Sequence, residues 1–386
     1  MDAAYFDRII ERRGSGCIKY DYRPKGTPDD LIPLWVADMD FQSPPEVLDA
    51  LRRAAEHGIF GYGADEDACR EAARSWFRTR FSWLLGTEEL IPVPGVIFGL
   101  SQTVRALTEP GDAVMISQPV YHPFEKIITQ NGRRPVINAL CLTGEGYRFN
   151  FEALERQITE ERVRAYLLCS PHNPVGRVWT RAELQALADI CLRHGVLILS
   201  DEIHCDFVYP GRSHTPIARL SAAVAAQTVT LNAPSKTFNI AGLQASHIIV
   251  TNPALRKRIK QELAGCGCHG INTLAVCATT AAYRFGVPWL ETLLAYLAEN
   301  DRMLRSALAD TPIRVVPLEG TYLAWLDFRA LGREQDALYE LLLKKAGVWL
   351  QSGTDFGLGG EGFFRMNLGC PHSVLAEALR RIRSVL

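Results

Sequence analysis

The chain has 386 residues, enough for two or three domains and an ample core. Its 42 Lys+Arg nearly balance 43 Asp+Glu, which leaves no basic field for nucleic acid and no charged tail. No apolar run nears the ~18 residues of a membrane span, and the start, Met-Asp-Ala-Ala-Tyr-Phe-Asp-Arg, lacks the basic and apolar parts of a signal peptide. Ten cysteines are scattered, several inside apolar segments (Cys169, Cys191, Cys277). They read as reduced core thiols, and the expectation is a cytoplasmic protein.

Residues 1–45 are rich in Gly, Pro and charge up to Leu34-Trp-Val-Ala-Asp-Met-Asp-Phe41. They read as an arm with a first strand-like segment, forming part of a small domain. Over 46–285, apolar strand-like runs alternate with amphipathic stretches, the pattern of a doubly wound, mostly parallel α/β sheet. This is the expected large, ligand-binding domain. Thr180-Arg-Ala-Glu183 is a capping box; Leu184, Leu187 and Cys191 share a face behind it, and Gly195 marks the end. Over 286–386 the pattern changes. A long helical stretch leads to Thr321–Phe328, a second helix ends at Gly347, and Phe363-Phe-Arg-Met-Asn367 reads as a strand, together a smaller α+β domain.

Three polar motifs each follow an apolar strand-like run: Asn173-Pro-Val-Gly after Tyr166–Cys169, Asp201-Glu-Ile-His204 after Val196–Leu199, and Ser235-Lys236 after Thr228–Leu231. Such positions share the sheet edge where open α/β folds bind ligands. An amide, a carboxylate and a lysine on one edge are the equipment for pyridoxal phosphate: a donor for its ring oxygen, an acid for its ring nitrogen and an amine for its aldehyde. Alone, each has a plainer reading. Lys236 is a solvated lysine, Asp201 a helix cap, Asn173 a turn.

Gly95-Val96-Ile97 opens a helical pattern and suits a phosphate cradle as well as it suits a simple junction. Tyr121, after the run Ala113–Ile116, is either core or a stacking platform for a flat ring. Arg365 sits in an apolar strand and needs a partner, either a substrate carboxylate or an internal ion pair. Cys266-Gly-Cys268-His269 has no recognised metal spacing and reads as a glycine-rich loop, so no metal is expected.

Together these segments resemble the class I/II aminotransferase superfamily, the fold-type-I pyridoxal-phosphate enzymes, over nearly the whole chain. Trp35–Phe41, Phe60-Gly-Tyr62-Gly63, Asp201–His204 and Ser235–Gln244 are similar to its cystathionine β-lyase (C–S lyase) subgroup. The resemblance implies a seven-stranded-type sheet and a homodimer with shared active sites, in which Tyr62 reaches the neighbouring subunit's phosphate. It places Lys236, Asp201 and Tyr121 in catalysis, and Gly95, Val96, Ile97, Tyr121, Asn173, Asp201, His204, Ser235, Lys236 and Tyr62 around the cofactor. Arg365 is placed on the substrate. Many aminotransferases carry a tyrosine where His204 stands and an arginine where Gln244 stands, and both departures suit the lyases. The expected activity is β-cleavage of L-cystathionine and related thioethers to thiol, pyruvate and ammonia, within methionine synthesis. An aminotransferase is the first rival. A regulatory protein that binds a transcription factor is the second.

Overall fold

A computed structural model describes residues 2–63 and 66–386. Its centre is a seven-stranded sheet of β1 (Leu90–Val93), β2 (Ala113–Gln118), β3 (Arg134–Ala139), β4 (Val163–Cys169), β5 (Leu197–Asp201), β6 (Thr228–Asn232) and β7 (Ser246–Ile249). The spatial order is β1-β7-β6-β5-β4-β2-β3, with only β7 antiparallel to its neighbours. Helices cover both faces, so the central strands are buried except at Arg164 and the first residue of β5.

Register aligns the motifs. Cys169 pairs with Asp201, and Asp201 with Leu231. The chain after β4, β5 and β6 therefore leaves the sheet at one edge, delivering Asn173, His204 and Lys236 side by side. The predicted capping box is present in α2 (Arg181–Arg193), where Thr180 Oγ1 accepts from the Glu183 N–H. Helix α1 (Val96–Leu107) begins at Gly95, whose φ is 102°. It lies close on the sheet because Gly99 has no side chain. A Cβ there would stand 2.8 Å from Leu231 Cδ2 and 3.2 Å from Val93 Cγ2.

A second sheet holds β8 (Arg314–Val315), β9 (Leu323–Asp327), β10 (Gln351–Ser352) and β11 (Phe363–Asn367), in the order β8-β9-β11-β10. A cluster that includes Leu304, Leu326, Phe364 and Leu379 packs helices against it. Gly176 joins the two sheets: its carbonyl accepts from the Glu319 and Gly320 N–H groups at 2.8 and 3.0 Å. The predicted second helix runs from Gln335, widens to a π-turn over Leu341–Ala346 and stops at Gly347, φ 65°. Among the described residues no helix is long and apolar enough to cross a membrane.

Two expectations are corrected. Only Ile32–Pro33 forms a strand in the arm, parallel to Val348–Trp349. The apolar stretch 35–41 is instead an irregular strap, because side chains satisfy much of its backbone. Asn367 Nδ2 donates to the Val36 and Asp38 carbonyls (2.6 and 2.7 Å), and Tyr322 Oη donates to Ala37 O (2.8 Å). Asn239 brackets Met39 by donating to its carbonyl and accepting from its N–H. Cys277 is half-buried rather than a core thiol; Cys169 and Cys191 are core.

Candidate active site

At the shared strand edge lies a cavity of about 190 Å³, lined by Val96, Ile97, Tyr121, Asn173, Asp201, His204 and Lys236 together with Ala37, Cys169 and Ile203. Seven residues from five separated segments, each expected at the site, meet here. Gly95 and Ser235 are chain neighbours of lining residues.

Lys236 follows β6 in a single helical turn, Pro234–Thr237. Its Nζ donates to the Ala37 carbonyl at 2.5 Å. Burial lowers its pKa to about 8, against a smaller opposing pull from Asp38. The amine thus loses its proton far more readily than a surface lysine. Asp201 ends β5, buried, with Oδ1 accepting from the Ile203 N–H at 3.1 Å. Desolvation raises its pKa to about 7, and the neighbouring Glu202 adds to the rise. A carboxylate held this dry calls for a cationic donor.

His204 is buried, its Nδ1 has no partner among the described residues, and its pKa is pushed well below 6.5 by burial and by the nearby Lys236 and Arg365 charges. It is a neutral ring. Asn173 Oδ1 accepts from Arg365 Nη1 at 3.0 Å, which leaves the amide Nδ2 to donate elsewhere. The Asn173–Pro174 peptide is cis. At the first turn of α1, the N–H groups of Val96 and Ile97 have no intrahelical acceptor.

Arg365 projects from the middle of β11, buried. Its remaining contacts are the Trp35 carbonyl (2.8 Å), the Gln351 side-chain oxygen and the Phe356 ring, 4.9 Å from the guanidinium carbon. Among the described residues all its acceptors are neutral, and Nε has no partner. Burial lowers its pKa to about 10, so it remains a cation at neutral pH. The internal ion pair weighed from the sequence is not formed among the described residues.

These features fit pyridoxal phosphate. A desolvated carboxylate meets a ring N–H, a readily deprotonated amine meets an aldehyde, a free amide meets a ring oxygen, and unbonded helical N–H groups meet a phosphate. Tyr121 and the neutral His204 supply walls.

The sequence profile of aminotransferase class I and II matches residues 29–382. The chain belongs to this family. It is 42% identical to cystathionine beta-lyase PatB of Bacillus subtilis (strain 168) over 385 residues, covering 99% of each chain. The crystal structure of cystalysin from Treponema denticola, which contains a pyridoxal 5'-phosphate cofactor, superposes with a TM-score of 0.95 at 35% identity, covering 98% of both chains. The PLP-bound C-S lyase of Staphylococcus hominis gives 0.90 at 32%, again covering 98% of both.

Within this family fold, Tyr62 behaves differently from the other expected residues. It is fully exposed and lies outside the cavity of its own chain, in a separate concavity with Arg70 and His269. Gln244 is likewise at the surface, at φ 55°. Sequence reasoning missed Ala37 and Tyr322. Asn239, which flanks Lys236 in the sequence together with Ser235, is held at φ 56°, a conformation Asn tolerates better than most.

Proposed function

We infer that the chain is a pyridoxal-phosphate-dependent C–S β-lyase that acts on cysteine thioethers such as L-cystathionine. The observation that carries an amino-acid substrate is Arg365: a buried cation with no anionic partner, bonded to a residue of the lysine–aspartate cavity. Elimination rather than transamination rests on the full-length similarity to a cystathionine beta-lyase.

When bound, pyridoxal phosphate supplies an electron-accepting ring that stabilises negative charge at the substrate Cα. The chain does the rest. Arg365 attracts the α-carboxylate with its charge and its unused Nε–H, fixing which bond at Cα faces the lysine. Lys236, as the neutral amine, takes the Cα proton. Asp201 keeps the ring nitrogen protonated, and Asn173 donates to the ring oxygen. Gly95, Val96, Ile97 and Ser235 surround the phosphate, and Tyr121 and His204 flank the ring. A thiolate then leaves Cβ, and water completes the products, thiol, pyruvate and ammonia. Residues 46–285 carry the cofactor, while 286–386 with the arm 1–45 carry the substrate anchor. All ten cysteines are free thiols, which suits the cytoplasm.

Incubation with cystathionine and no keto acid is expected to yield pyruvate and homocysteine. A yield that needs a keto acid means an aminotransferase instead. Arg365→Lys is expected to raise KM for cystathionine by about 10–100-fold, since lysine lacks the planar fork and a charge-assisted contact is lost. A KM within twofold of wild type makes Arg365 structural.

The working unit is a homodimer with shared sites, in which exposed Tyr62 serves the partner's phosphate. Tyr62→Phe and Lys236→Ala homodimers are both impaired on this reading. Mixing them puts both defects in one site and leaves the other intact, so verified hybrids recover up to about half of wild-type activity. A Tyr62→Phe homodimer with full activity, or hybrids no better than the parental average, overturns the arrangement.

A further inference from the structure

Beside the active-site cavity is a second, larger one of about 630 Å³. Tyr121 lines both. Its floor belongs to the substrate anchor: Phe356 lies under the Arg365 guanidinium, and Gln351 accepts from Arg365 Nη2. Gln351 in turn donates to Asp355 Oδ2 at 3.4 Å. On the opposite wall, Gln118 is buried and braces two elements at once. Its Nε2 donates to Glu125 Oε2 at 3.1 Å, and its Oε1 accepts from the Leu358 N–H at 2.8 Å. The wall is tight, since a Cβ at Gly357 would stand 2.4 Å from Gln118 Cδ. Lys126 faces this chamber without an ion pair among the described residues. The buried Nδ1 of His122 has no partner among the described residues either.

The open side of the chamber therefore carries the exposed Lys126 ammonium and two exposed carboxylates, Glu125 and Asp355, next to the group that fixes the α-carboxylate. An alkyl tail has no use for these charges. A second amino-acid head group matches them.

Resting on the lyase reading above, we propose that this chamber is a distal subsite selecting thioethers whose far end carries its own α-amino and α-carboxylate groups, with Lys126 taking the carboxylate and Glu125 and Asp355 the ammonium. Such a site makes the enzyme a cleaver of two-headed thioethers and disulfides rather than of simple S-alkylcysteines.

The test compares cystathionine with S-ethyl-L-cysteine, which lacks the second head, in the holoenzyme. Lys126→Ala is expected to raise KM for cystathionine about tenfold with kcat little changed, and to leave both constants for S-ethyl-L-cysteine within twofold. Asp355→Asn is expected to act in the same direction. The selectivity shrinks as salt screens the pairs. In a Lys236→Ala background, which does not turn over, calorimetry should show the Lys126→Ala change weakening cystathionine about tenfold. Equal effects on both substrates, or none on either, overturn the subsite while leaving the lyase intact. If wild type makes no pyruvate from either thioether, the lyase reading fails, and the calorimetric comparison still decides the subsite.

Discussion

Replacing Lys236 by alanine is expected to lower kcat by at least about 10⁴-fold while the chain stays folded. A general base alone contributes about 10²–10⁴-fold, and this amine also makes the covalent bond to the cofactor. Its position supports both roles. The strand end sets the backbone, the turn Pro234–Thr237 aims the side chain, and burial brings its pKa to about 8. Only the neutral amine can attack an aldehyde or accept a proton. Covalent uptake of pyridoxal phosphate by the cofactor-free protein should therefore quicken as pH rises toward about 8 and level off above it. Borohydride reduction followed by peptide mapping is expected to fix the cofactor on Lys236. A label on another lysine removes the assignment.

Asp201→Asn separates function from stability. Turnover and exchange of the substrate Cα hydrogen with deuterated solvent should both fall, by about 10²–10³-fold or more, because an amide cannot hold the ring nitrogen protonated. The cofactor-free variant should nevertheless be the more stable protein at pH 8. The folded carboxyl has a pKa of about 7, above its ordinary 3.8. Its stabilising contribution is therefore present at low pH and lost as pH rises through about 7, where the desolvated charge becomes a burden. Asparagine carries no such charge. The gain should be small at pH 4, grow up to pH 7 and approach about 4 kcal/mol at most by pH 8. Urea unfolding at both pH values checks this. An equal stability difference at pH 4 and pH 8 contradicts a desolvated Asp201.

The cavity was legible from the sequence because Asn173, Asp201 and Lys236 each closely follow an apolar run, and these runs do form strands of the central sheet. Asn173, Asp201 and Lys236 needed no knowledge of contacts, only of where parallel strands stop. The strap was not legible, because many of its hydrogen-bond partners lie about two hundred or more positions away, although Arg12 and Lys19, nearer in sequence, also donate to it. Lys236, Asn239, Tyr322 and Asn367 satisfy a backbone that the local pattern assigned to a strand. The outer chamber was hidden for a similar reason: 118–129 and 351–357 come from different sheets, and neither segment carries a motif alone. Tyr62 could be placed only by resemblance, since a glycine-flanked tyrosine says nothing about which chain it serves.

The grip on that strap has one further property. Lys236, Tyr322, Arg365 and Asn367 all take hold of main-chain oxygens, those of Trp35, Val36, Ala37 and Asp38. The latch counts residues and does not read them. The side chain at 36 is free to drift without loosening it, though the one at 37 also lines the cavity, whereas loss of a single residue from this stretch slips every carbonyl by one place and presents each donor with the wrong oxygen. The segment is thus more tolerant of spelling than of length, and the uncharged Tyr322 and Asn367 measure it together with Lys236 and Arg365.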